Sequence, residues 1–148
     1  MKKYINCANL PIRMSRKVFF SSAHLYKQNA WSESQNQKVF GKCFSEFGHG
    51  HNYTLEAFFE GPIDSQTGLL ANLIDVDPIL KQITDEFDHK HINFVHPHFK
   101  TLIPTTENIA SYLWTAIQKN VACSPISFLK FYKMRLFEEP DLWVEVGL

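Results

Sequence analysis

Two stretches of alternation, residues 13–24 and 49–60, constrain this chain more than any other feature of it. In the first, Met14, Val18, Phe20, Ser22 and His24 share one face by the two-residue period of a strand. In the second, His49, His51, Tyr53, Leu55, Ala57 and Phe59 share a face, while Thr54, Glu56 and Glu60 mostly populate the other. A pair of strands with one apolar and one wet side is the pattern of an antiparallel sheet. The 24 residues between them, Leu25 to Gly48, are polar and read as a long connection, of a length uncommon unless functional or disordered.

The period then lengthens. Asp77-Pro78 predicts a helix start, an acidic cap with Pro in the first turn. Val76, Ile79, Leu80, Ile83 and Phe87 supply its apolar stripe, and the helix is expected to end near Asp88. His89 to Pro104 is irregular and rich in His and Pro. Thr105 or Thr106 caps a second helix with Ile109, Ala110, Leu113, Trp114 and Ile117 on one side. A third strand follows over Ser127 to Glu138, with Phe128, Tyr132, Met134 and Leu136 set against Lys133 and Arg135. Glu139-Pro140-Asp141 turns into a short fourth strand, Leu142 to Val146. The order ββααββ, without repeats or linkers, predicts a single α+β domain over residues 1–148.

Composition removes several classes of function. Fifteen basic and 15 acidic residues give a net charge of zero, so nothing electrostatic points to nucleic acid or an anionic membrane as partner. The longest stretch free of charged residues runs from Asn108 to Gln118, short of the ~18 residues a membrane span needs. Lys2 and Lys3 are not followed by an apolar run ending in small residues, so no secretory signal is expected and the default compartment is the cytoplasm. Thirteen Phe in 148 residues predict a generous core or a large subunit interface. Cys7, Cys43 and Cys123 form no disulfide framework. Cys123, within Val121-Ala122-Cys123, reads as a small buried hydrophobe; Cys43, in a polar loop, does not.

His49-Gly50-His51 sets two imidazoles on one strand face, roughly 7 Å apart along the backbone. Two such rings can converge on one metal at about 2.0–2.1 Å, and Gly50 lets a ligand or loop approach. His24 closes the preceding strand and can join them if the strands pair, and three imidazoles with an open fourth position are the donor set of a catalytic zinc. Cys43, six residues before His49 and beside Lys42, has three readings: a fourth ligand closing a structural Cys/His₃ site, a thiolate base with its pKa lowered by positive charge, or an inert loop thiol. Asp88-His89 offers a carboxylate to orient an imidazole, against the plainer reading of surface polar groups. His91, His96 and His98 are rival ligands of irregular spacing. Glu138, beside Leu136 and Phe137, either anchors paired N–H donors of a flat heterocycle or is a solvated residue entering a turn. Glu107 follows the cap as an acid favoured in a first helical turn.

Phe20-Ser21-Ser22-Ala23-His24, Phe40-Gly41-Lys42-Cys43 and Gly48-His49-Gly50-His51-Asn52-Tyr53 together resemble the 6-pyruvoyl-tetrahydropterin synthase family. The resemblance continues through Ile63-Asp64 to Gly68, Asp88-His89-Lys90, Thr105-Thr106-Glu107-Asn108 and Phe137-Glu138. It implies a tunnelling fold: a four-stranded antiparallel sheet backed by two helices, three subunits closing a barrel and two trimers stacking as a homohexamer with interfacial active sites. It assigns His24, His49 and His51 to Zn²⁺ and Cys43 to proton abstraction. Asp88 and His89 become a relay pair reaching Cys43 of a neighbouring subunit. Glu138 becomes the pterin anchor with a relay role, and Thr106 and Glu107 fall near the pterin pocket. The implied reaction, in tetrahydrobiopterin biosynthesis, converts 7,8-dihydroneopterin triphosphate to 6-pyruvoyl-tetrahydropterin with loss of triphosphate, which Mg²⁺ assists. Relatives that make 6-carboxy-tetrahydropterin for queuosine usually have three residues between the cysteine and His-Gly-His; this chain has five, Phe44 to Gly48, as in the pyruvoyl-forming group. The non-enzyme alternative is a zinc- or pterin-binding module with Cys43 as fourth ligand.

Overall fold

Alternation over Ile12–His24 (β1) and His49–Gly61 (β2) forms one long antiparallel pair, in a computed structural model that describes residues 11–148. Cys7, Lys2 and Lys3 lie outside the described residues. The register sets His24 opposite His49, Ser22 opposite His51 and Phe20 opposite Tyr53, so these six side chains share a face. Along that face Phe20, Tyr53, Leu55, Ala57 and Phe59 are buried. The remaining strands are Lys90–His91 (β3), Lys130–Glu139 (β4) and Leu142–Gly147 (β5), in sheet order β3-β1-β2-β4-β5. The sheet is therefore five-stranded and mixed, where four antiparallel strands were expected: β3 is two residues long and runs parallel to β1.

The helices are Glu33–Phe40 (α1), Leu73–Thr84 (α2), Ile92–Val95 (α3) and Thr106–Ala122 (α4). Helices α2 and α4 cover the buried sheet face with Val76, Leu80, Ile83, Ile109, Ala110, Leu113 and Ile117. Thr105 caps α4, its Oγ1 accepting from the Asn108 amide at 3.3 Å.

Four further expectations change. Residues 25–48 are not a plain connection, because a capping box at Ser32 and Gln35 starts α1, and the buried Asn36 side chain hydrogen-bonds the backbone of Gln28, Trp31 and Ser32. Helix α2 starts at Leu73 rather than Asp77-Pro78, because Asn72 caps it by accepting from the Ile74 amide; the Asp77 carboxylate instead binds Arg16 at 2.7 and 2.8 Å. It ends at Thr84, and turns carry the chain on so that Phe87 still reaches the core. In β4 the register shifts opposite Phe58/Phe59. Phe131, Met134 and Leu136 therefore face inward, while Phe128 is 58% exposed and Tyr132 only half-buried. Cys123 is exposed, not buried.

Candidate functional site

The β1–β2 register decides where the histidines meet. His24 ends one strand, His49 begins the other, and His51 lies two residues on, so one face at one end of the pair carries three imidazoles. Their ring centroids are 4.7, 4.8 and 5.1 Å apart. Nε2 of His24 lies 3.2 Å from Nε2 of His49. Two nitrogens at about 2.0–2.1 Å from one tetrahedral ion are about 3.3 Å apart, so this spacing matches a shared metal.

The outer nitrogens of two of these rings are occupied. His24 Nδ1 lies 3.0 Å from the Pro104 carbonyl and 3.1 Å from the Tyr53 hydroxyl. Donating Nδ1–H to the carbonyl leaves the Nε2 lone pair for the centre of the cluster. His51 Nδ1 lies 2.7 Å from Glu139 Oε1, with the same result. Burial, reinforced by His49 and His51, pushes the His24 pKa down to about 3; burial and His51 push His49 down as well. Both rings are thus neutral, the form that ligates metal. His51 Nε2, which faces the centre of the cluster, is buried without a hydrogen-bond partner, which fits a donor set built for an ion; His49 Nδ1, on the outer side of its ring, is also unpartnered.

Glu138 completes the group. Its Oε1 lies 3.1 Å from His51 Nε2, and one ligand atom each from His24, His49, His51 and Glu138 fall within 4.8 Å of one another. Thr106 Oγ1 donates to Glu138 Oε2. Burial raises the Glu138 pKa, with Glu107 and Glu139 adding to the rise and His51 opposing it. Glu107 itself is exposed on the first turn of α4.

Cys43 ends a short 3₁₀ turn after α1 and is half-buried, its carbonyl accepting from the Tyr26 amide at 2.9 Å. It is not among the converging ligand atoms, which disfavours a Cys/His₃ cage. Burial first, then Glu138, pushes the thiol pKa up, opposite to the lowering that the adjacent Lys42 suggests.

Asp88 and His89 lie apart from the trio. Asp88 Oδ1 accepts from the Ser21 amide at 2.8 Å, the His89 amide donates to the Ser21 carbonyl at 2.7 Å, and Asp88 Oδ2 lies 2.9 Å from His89 Nδ1. The Ser21 amide holds the Asp88 pKa below its ordinary value, with His89 adding to that. The His89 side chain is 82% exposed and lines, with Ser21, Gly50 and Asn52, a cleft of about 440 Å³. The rival histidines do not join the cluster. His91 Nε2 meets the Phe47 carbonyl at 3.0 Å, and His96 is buried against Phe87 and Glu86. Sequence reasoning missed Pro104, Tyr53 and Glu139 as partners of the trio; only Tyr53, on the shared strand face, carried a signal.

Comparison with known proteins agrees with this fold. Residues 13–147 match the sequence model of the family described as 6-pyruvoyl tetrahydropterin synthase. The chain is 37% identical over 127 residues to the 6-pyruvoyl tetrahydrobiopterin synthase of Pongo abelii, covering 85% of this chain and 84% of that one. The Homo sapiens protein of the same name is 36% identical over the same shares. Among solved structures, the 6-pyruvoyl tetrahydropterin synthase of Caenorhabditis elegans superposes with a TM-score of 0.83 at 28% identity, over 93% of this chain and 95% of that one.

Proposed function

The chain belongs to the 6-pyruvoyl tetrahydropterin synthase family, and on that premise we propose that it is a lyase converting 7,8-dihydroneopterin triphosphate to 6-pyruvoyl-tetrahydropterin with elimination of triphosphate. The observation that carries the reading is the convergence of His24, His49 and His51 beside Glu138, with Cys43 outside the ligand group but within electrostatic reach of Glu138. Zinc is the ion we assign to the three imidazoles, leaving Glu138, the fourth candidate ligand, to the pterin, since three nitrogen donors with a free position are its catalytic setting. When bound, zinc polarises the substrate's side-chain hydroxyls and acidifies the adjacent C–H bonds. Magnesium is assigned to the triphosphate.

The protein's own groups divide the remaining work. Cys43 is the group we assign to accept the proton from the substrate side chain, acting as its thiolate although burial raises its pKa in the free chain. Glu138 accepts from paired pterin N–H groups, a bidentate contact that fixes the ring plane. Thr106, by donating to Glu138, sets the carboxylate's rotation, and Glu107 borders the pterin pocket. Asp88 orients His89 through Nδ1 and leaves Nε2 free to exchange protons. Because His89 lines the cleft with Ser21 and Asn52, we assign the pair to Cys43 of a neighbouring subunit. A homohexamer is the assembly we infer; the exposed Phe19 and Trp143 and the β5 edge support it. The chain works as one domain, in the cytoplasm; no helix of the described residues is long and apolar enough to cross a membrane.

The test is to incubate the purified protein with dihydroneopterin triphosphate and identify the products by mass spectrometry. Triphosphate and 6-pyruvoyl-tetrahydropterin are expected. A 6-carboxy product would move the chain to the deazapurine-forming relatives, and unchanged substrate would refute the reading.

A further inference from the structure

In an uninterrupted strand consecutive side chains point to opposite faces. Near the end of β4 this rule is broken: Phe137 pairs with Trp143 and Glu139 with Leu142, so Glu138 is an extra residue in a bulge. The bulge lets two adjacent acids meet one imidazole. Glu138 Oε1 lies 3.1 Å from His51 Nε2, and Glu139 Oε1 lies 2.7 Å from His51 Nδ1. We infer that Glu139 is a positioning residue for the metal centre, holding His51 in the tautomer and ring orientation that presents Nε2 to a divalent ion. The inference rests on the reading of His24, His49 and His51 as a metal site.

The physical case is the pairing of a carboxylate with the outer nitrogen of a ligating histidine, which fixes the ring and raises its basicity. A flipped ring, or one protonated on Nε2, presents no lone pair to the centre. The three rings are not held alike. The Pro104 backbone carbonyl holds His24, His49 Nδ1 has no partner, and the Glu139 side chain holds His51. Glu139 is thus a point at which a single substitution reaches a metal ligand's orientation without touching the ligand. His51 is largely enclosed, while Glu139 is 52% exposed, so water competes for the carboxylate. Loss of such a partner costs about 10–100-fold in metal affinity, and the exposure places the effect near about tenfold.

The experiment measures Zn²⁺ affinity of the full chain by competition with a chromophoric chelator, for the parent and for Glu139→Ala, Glu139→Gln, His24→Ala, His51→Ala and His51→Ala/Glu139→Ala. Thermal unfolding in chelator, and the ¹⁵N shifts of the His51 ring in the zinc-loaded parent and Glu139→Gln proteins, accompany it. Glu139→Ala is expected to weaken binding about tenfold with the chelated protein's Tm unchanged. Glu139→Gln keeps an acceptor oxygen for Nδ1–H, and should retain most of the affinity and the Nδ1–H tautomer. In the His51→Ala background the second substitution should cost nothing further. Parent-like affinity in Glu139→Ala overturns the inference and leaves the metal centre standing. So does a Gln variant as weak as the Ala variant, which would mean that charge alone acts, or an equal loss in the His51→Ala background. A parent that takes up no Zn²⁺, or a His24→Ala variant that binds as well as the parent, overturns the metal reading and this inference with it.

Discussion

Gly48 joins the connecting segment to β2 one residue before His49, and its φ of +75° lies where L side chains are strained. A Cβ built there would fall well inside contact distance of the His24 carbonyl oxygen, 3.0 Å from the carbonyl carbon and 2.8 Å from His91 Nε2. Backbone cannot swing aside as a side chain can, so Gly48→Ala must move the ends of β1 and β2, where two of the three imidazoles sit. Gly68 is the internal control, since its φ is +72° and nothing lies within 4 Å of its added Cβ. Left-handed strain costs about 1–2 kcal/mol at either site. Overpacking against fixed atoms adds about 1–3 kcal/mol at Gly48 alone. The two variants should therefore differ by about 2 kcal/mol, or about 8 °C in Tm at about 4 °C per kcal/mol for a chain of this length. Thermal unfolding at equal protein concentration in chelator measures that difference, and zinc competition measures the displacement of the imidazoles, expected to weaken binding at least about tenfold in Gly48→Ala only. Equal Tm values with equal zinc affinities would refute the argument that this glycine is required by close approach rather than by dihedral angle alone.

Two further outcomes are expected. Cys43→Ala should retain zinc stoichiometrically while losing at least about 10²-fold in turnover, the contribution of a positioned proton acceptor; loss of zinc would make Cys43 a ligand after all. His96 gives a pH prediction. Burial, helped by His98 and Lys90 and opposed by Glu86, holds its pKa below the ordinary 6.5. The unfolded chain therefore takes up a proton that the folded chain refuses, so the associated stability is complete above pH 6.5 and falls as the pH drops below it. His96→Phe should lose less of its urea midpoint than the parent between pH 7.5 and 5; parallel losses would show that His96 does not carry the effect.

The strands and their shared face were legible in residue order because period two is a strong signal when one side is buried: His49, His51, Tyr53, Leu55, Ala57 and Phe59 do lie together. That register also brought His24 to them. Helix α1 was missed although its capping box, Ser32 followed three residues on by Gln35, stands in the sequence. The start of α2 was misplaced because Asp77-Pro78 carries cap chemistry, while the acid is taken by Arg16 from a strand 61 residues away. Tyr132 and Glu139 were beyond reach for one reason. Each depends on a register irregularity in β4, and a bulge changes which face a residue serves without changing residue type. For Cys43 the neighbour Lys42 suggests a lowered thiol pKa, whereas burial and Glu138, which act through the fold, push it up.

The pairing of His24 with His49 has a consequence for how the chain reaches this shape. Sliding β1 by one residue along β2 would turn its core-facing side chains outward, His24 among them, and scatter the nitrogen donors. A divalent ion would then find no pocket, so its binding energy adds to one alignment of the two strands and to none of the misaligned ones. An ion bound at the three imidazoles would thereby act as a proofreader of hairpin alignment, rewarding the folded chain only when the strands are in step.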